Sequence, residues 1–119
     1  HTQLQPLVTV ADDLKSACGR WRAIMLVGLN GTQELMGDAV YENAYIVEDG
    51  IWKIAKLHAF ITHYVDMDGK PVPMGTVFDD FPPDEPQTVD YASFPSVHIP
   101  PYHYPNPVTG KIWKEEQSA

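Results

Sequence analysis

Cysteine and positive charge are what this sequence has least of. Its 119 residues hold one cysteine, Cys18, which excludes an intramolecular disulfide and any zinc site built from several thiolates. So little cysteine leaves the redox compartment open, leaning to the cytoplasm. Eight Lys and Arg stand against 16 Asp and Glu, a net charge of −8. Nucleic acid and anionic membrane surfaces both require a basic footprint, so neither is expected as a partner. No apolar run approaches the roughly 18 residues of a membrane-spanning helix, and no signal-peptide pattern is recognisable. A Walker-type glycine loop, a dinucleotide fingerprint, an HExxH pair and a nucleophile elbow are all missing, so no cofactor and no metal are expected. No internal repeat appears.

What is present is a strongly β-patterned chain of ordinary globular composition, long enough for one domain with a real core. Its centre is Ala39 to Tyr64, AVYENAYIVEDGIWKIAKLHAFITHY. Aromatic and β-branched runs flank Asp49-Gly50, the strongest short hairpin signal, and the stretch reads as two long strands around a tight turn. Counting outward from that turn pairs Glu48 with Ile51, Tyr45 with Ile54, Asn43 with Lys56, Tyr41 with His58 and Ala39 with Phe60. One face then carries Tyr41, Tyr45, Val47, Trp52, Ile54, His58 and Phe60. The other carries Val40, Ala44, Ile46, Ala55, Leu57, Ala59 and Ile61, interrupted by Glu42 and Lys53. A sheet with one wet face alternates apolar and polar residues. This one is largely apolar on both sides, so both sides need cover.

Upstream, His1 to Val10 reads as a strand with Leu4, Val8 and Val10 on one parity. Pro6 cannot donate to a ladder and makes it an edge strand or a bulged one. Lys15 to Leu29 is a strand bracketed by Gly19 and Gly28, with a helix over Ala17 to Leu26 as the competing assignment. Arg20 and Arg22 share a face there, as a solvated strand end. Asn30-Gly31-Thr32 is a loop, and Gly37 marks a bulge or bend. Residues 1–66 thus form the sheet with its central hairpin at 39–64. Residues 67–119 form a proline-rich tail, extended through FPPDEPQTVDYASFPSVHIPPYHYPNP. Its aromatic content predicts that it wraps over one face of the sheet or over a partner subunit, with Lys111 to Ala119 as a frayed strand or short helix.

The residues that can carry chemistry lie on the aromatic face. His58, opposite Tyr41, can act as a general base beside a phenol, or as a buried histidine paired for stability alone. Tyr45, Trp52 and Phe60, with Trp21 and Asn43, are the expected ligand-binding residues around a pocket for a small apolar or aromatic molecule. His63 falls on the opposite parity from His58, near a strand end. His98 and His103 would need a third ligand such as Asp90 or Glu85 to hold a metal; structural packing is the favoured role. Glu42, mid-strand on an apolar face, is expected to pair with Arg20 or Arg22, a catalytic carboxylate being the other reading.

The hairpin YENAYIVEDGIWKIAKLH, preceded by HTQLQPLVTV and GRWRAIML, resembles the SnoaL-like branch of the nuclear transport factor 2-like superfamily over residues 1 to 66. The tail pattern FPSVHIPPYHYPNPVTG is similar to a C-terminal extension of some members. The resemblance implies a cone-shaped α+β fold, in which a strongly bent antiparallel sheet wraps N-terminal helices, encloses a pocket and commonly dimerises. Relatives include isomerases, dehydratases, polyketide cyclases, epoxide hydrolases and non-catalytic members. The likeness covers only the sheet half of that pattern, so this chain is expected to be mainly β and to lack the helices. Either a homodimer or the missing part of a longer protein, cut before His1, would cover the open face. The implied function is small-molecule binding with acid–base chemistry, His58 as base and Tyr41 or Tyr45 as hydrogen-bond donor. The alternative is a non-catalytic protein whose sheet faces assemble subunits.

Overall fold

The computed structural model describes residues 1–29, 31, 33–73, 84 and 99–113. Its strands are β1 (Thr2–Val10), β2 (Ser16–Leu29), β3 (Gln33–Glu48), β4 (Ile51–Lys56), β5 (Ala59–Asp66) and β6 (Pro71–Val72). All join one antiparallel sheet in the order β1-β2-β3-β5-β6, with β4 also paired to β3. No helix occurs among the described residues, and hence none long and apolar enough to cross a membrane. The competing helix over Ala17 to Leu26 is therefore excluded, and Gly19 lies inside β2 rather than at its end. The sheet also continues past residue 66, because β6 pairs with β5.

Asp49 and Gly50 take positive φ of 53° and 75°, the pair of values that a type I′ turn needs. From there Glu48 faces Ile51 and Tyr45 faces Ile54, as counted from the sequence. The count then fails. Ala44 pairs with Lys56, leaving Ala55 as an extra residue, and β4 ends at Lys56. The return strand resumes as β5, which sets Tyr41 opposite Ala59, Val40 opposite Phe60 and Ala39 opposite Ile61. A second shift follows between Asp38 and Ala39, with Thr62 as its extra residue. Because side chains alternate with a period of two, one inserted residue moves every later side chain to the other face. The expected pairings Tyr41–His58, Asn43–Lys56 and Ala39–Phe60 are thereby corrected. β1 carries the same device: the register shifts between Leu4 and Leu7, around Pro6 and a Gln5 with φ of 38°. Leu4 consequently leaves the face of Val8 and Val10.

Two faces result. The tyrosine face holds the main core, Ala23, Met25, Leu35, Ala39, Tyr41 and Tyr64, with Trp21, Val27, Ala59, Ile61 and Val72 packed against it. Gly37 belongs to it for a steric reason: a Cβ there would stand 2.5 Å from the Tyr64 ring and 2.9 Å from Met25 Cε. The arginine face carries Arg20, Arg22, Val40, Glu42 and Phe60, and Pro101, Tyr102 and His103 lie against it. There Arg20 donates a 2.8 Å hydrogen bond to the Pro101 carbonyl. Residues 99–113 fold back on themselves, Tyr102 N–H donating to the Trp113 carbonyl and Asn106 N–H to the Lys111 carbonyl. Lys111 to Trp113 has no regular structure. Asn30, Thr32, most of 74–98 and residues 114–119 lie outside the described residues.

Candidate functional site

At one end of the tyrosine face, Val8, Val10, Ala17, Trp21, Tyr45 and Trp52 line an open cleft of about 270 Å³. Four strands converge here because of small residues in β2. Val10 faces Ala17, Val8 faces Gly19, and Ala17 in turn faces Tyr45. The space above Gly19 is taken by Trp21, whose six-membered ring edge comes to 2.1 and 2.3 Å of where a Cβ would stand. Trp21 is thus laid along its own strand and meets Tyr45, ring centroids 5.8 Å apart at 67°. Trp52, half exposed, closes the side that β4 supplies.

Gly19→Ala is therefore expected to evict the Trp21 ring rather than the backbone. Stability should fall by about 1–3 kcal/mol, as for overpacking elsewhere. The cleft should lose a wall, visible as a shift in tryptophan emission. An unchanged emission spectrum and thermal midpoint would contradict this placement.

Behind the cleft, the buried Asn43 links two structural features. Its amide donates to the Tyr45 hydroxyl at 3.1 Å, and its Oδ1 accepts from His58 N–H at 3.2 Å. The carboxamide therefore holds the phenol at the cleft and ties down the break between β4 and β5. Glu42 N–H donates to the His58 carbonyl at 2.9 Å across the same break.

Of the residues expected from sequence, Trp21, Tyr45 and Trp52 meet at the cleft and Asn43 stands behind Tyr45. His58 and Phe60 do not join them. The inserted Ala55 carries both to the arginine face, where their rings stack at 3.9 Å and 27°. Tyr41 stays on the tyrosine face but is buried in the core, its hydroxyl 3.1 Å from His1 Nδ1. His58 and Tyr41 are thus held on opposite sides of the sheet. His63 keeps its expected side, because the second bulge cancels the first and sets it opposite Asp38, so it now shares the arginine face with His58. Val8, Val10 and Ala17 were not anticipated. Their signal was the pair of small residues, Ala17 and Gly19, in alternation beside a tryptophan.

The arginine face carries a second constellation. Arg20 ion-pairs with Glu42 Oε1, and His103 Nδ1 lies 2.9 Å from Glu42 Oε2. Side-chain exposures are only 13%, 12% and 11% for Arg20, Glu42 and His103, so this is a largely buried cluster. His103 Nε2 is 3.2 Å from Thr9 Oγ1, and the Arg20 guanidinium lies 3.8 Å over the Tyr102 ring. With Nδ1–H donating to the carboxylate, Nε2 can accept from the Thr9 hydroxyl. Hydroxyl, imidazole and carboxylate stand in the order of an acyl-transfer triad. Here, however, Arg20 already neutralises the carboxylate that would have to stabilise an imidazolium. The cluster is better read as a clamp seating the C-terminal segment on the sheet.

The expected ion pair of Glu42 with Arg20 is present, and Arg22 pairs instead with Asp38 at 2.7 Å. Arg20 is accordingly no solvated strand end, whereas Arg22 remains exposed. No group of three or more His, Cys, Asp or Glu able to hold a metal occurs among the described residues, to which His98, Asp90 and Glu85 do not belong.

Comparison with curated proteins finds no match. The family model of the SnoaL-like domain matches residues 1–58, which contain every residue lining the cleft. Residues 1–58 thus match a SnoaL-like domain, and the antiparallel sheet fits the fold of the nuclear transport factor 2-like superfamily.

Proposed function

We propose that this SnoaL-like domain binds a small apolar or aromatic molecule in the cleft between β1, β2, β3 and β4. The observation that carries the reading is the convergence of Trp21, Tyr45 and Trp52 on one cavity with apolar walls. Few polar groups in an apolar concavity is the usual composition of a small-molecule site. The polar groups of the lining side chains are the Tyr45 hydroxyl, oriented by Asn43, and the indole N–H groups of Trp21 and Trp52, with neither carboxylate nor imidazole among them. Binding, with Tyr45 as the hydrogen-bonding group, is therefore the activity proposed. Acid–base turnover would need a base brought from outside the lining.

Calorimetric titration with indole tests this. One molecule should bind per chain, and Trp52→Ala should weaken binding about tenfold, the worth of one lost aromatic wall. Trp52 is 49% exposed, so the variant should fold. Equal binding by the variant would overturn the site.

A second reading has its own observation. Val8, Val10, Trp52 and Ile54, on the tyrosine face of β1 and β4, are all more than 40% exposed, an apolar surface able to join two copies. Sedimentation of the chain at micromolar concentration separates the two. A dimer that binds no indole would favour assembly, and an indole-binding monomer would exclude it.

A further inference from the structure

We propose, resting on the cleft as the ligand site, that its ligand class is a small trimethylammonium compound: a cation with a methylated, apolar surface. The geometry of the walls points this way. A flat aromatic ligand is best held between near-parallel rings in an offset stack. Trp21 and Tyr45 instead stand at 67°, forming a corner, and Trp52 adds a third aromatic wall from β4. A corner of π-systems suits a roughly spherical head, and tryptophan is the strongest of the aromatic partners for a cation.

The remaining lining, Val8, Val10 and Ala17, offers only methyl and methine groups. These match N-methyl groups and give nothing to a primary ammonium, which would find only the Tyr45 hydroxyl, already accepting from Asn43, in place of the water it loses. At about 270 Å³ the cavity falls just below the ~300–1,000 Å³ of drug-sized sites, room for a trimethylammonium head and a short substituent.

Charge supports the same class. The β1–β2 turn and the β3–β4 turn lie side by side at the cleft's end of the sheet, since Val47 N–H donates to the Lys15 carbonyl at 2.8 Å. Together they carry Asp12, Asp13 and Asp49 against Lys15, while the Glu48–Lys53 pair projects from the opposite side of the sheet. On a chain of net charge −8, this rim raises the local concentration of cations and disfavours anions.

Choline and 3,3-dimethylbutan-1-ol provide the test, because they differ only in a charged nitrogen replacing a carbon. Each is titrated into the wild-type chain and followed by tryptophan emission and calorimetry, with indole as the reference ligand. Choline should bind about tenfold more tightly than its neutral isostere, the contribution of a desolvated cation–π cage. Trp52→Phe should keep that preference, and Trp52→Leu should abolish it. Equal or weaker binding of choline, with indole still bound, overturns the trimethylammonium assignment and leaves the apolar cleft intact. Failure of indole as well as both alcohols overturns the cleft itself.

Discussion

Replacing Glu42 with leucine is expected to lower the unfolding free energy by about 3–5 kcal/mol, the cost of leaving a buried charge without its partner. Arg20 and His103 both depend on this carboxylate, and all three side chains are nearly buried. Without it the guanidinium keeps, among the described residues, the Pro101 carbonyl and the Tyr102 ring face, and His103 Nδ1 loses its acceptor. The loss should be read from the urea midpoint of the single variant. Adding Arg20→Met should recover much of it, since an apolar pair of similar volume often matches a buried ion pair. A loss under about 1 kcal/mol would instead class the pair with ordinary surface ion pairs. Indole binding should be unaffected, because Glu42 projects from the opposite side of the sheet to the cleft.

Phe60→Ala should be comparably damaging, by about 3–5 kcal/mol, and for a different reason. Phe60 is only 2% exposed and among the largest fully buried side chains, so its removal leaves a cavity that the sheet cannot close. Its value lies in the contrast with Trp52→Ala. The Trp52 change should cost binding with little stability, and the Phe60 change should cost stability with the cleft affinity of the folded fraction preserved. Thermal unfolding and indole titration of the two variants decide it. A stable Phe60→Ala protein that no longer binds indole would place Phe60 on the cleft side and refute the inserted Ala55.

How far the sequence could be read follows from where each signal resides. The Asp49-Gly50 turn, the first pairs out from it and the edge character imposed by Pro6 are local properties, and the structure bears them out. That Glu42 pairs with Arg20 or Arg22 was also legible, because a carboxylate isolated on an apolar face needs a cation from the neighbouring strand, and the structure selects Arg20. The bulges at Ala55 and Thr62 were not. Neither site carries a glycine or proline to announce an extra residue, and the hydrophobic pattern offers apolar side chains on both parities, so it does not choose between registers. That single ambiguity carried His58 and Phe60 to the wrong side. It also explains why Tyr45 and Trp52, which lie between the turn and the first bulge, keep their expected common face and meet at the cleft. His103 was out of reach for another reason: its carboxylate partner is 61 residues away, and no local pattern encodes such a contact.

The clamp also constrains the order of folding. Thr9, Arg20 and Glu42 come from three neighbouring strands and share a side only while β1, β2 and β3 hold their native alignment. A slip of one residue in either pairing would turn one of them away, and the imidazole of His103 would find an incomplete socket. Closing so long a loop is entropically costly until its contacts exist to compensate. The C-terminal segment can therefore dock only onto a correctly assembled sheet, and its docking acts as a proofreading step that stabilises the right alignment and withholds that stabilisation from every misaligned one.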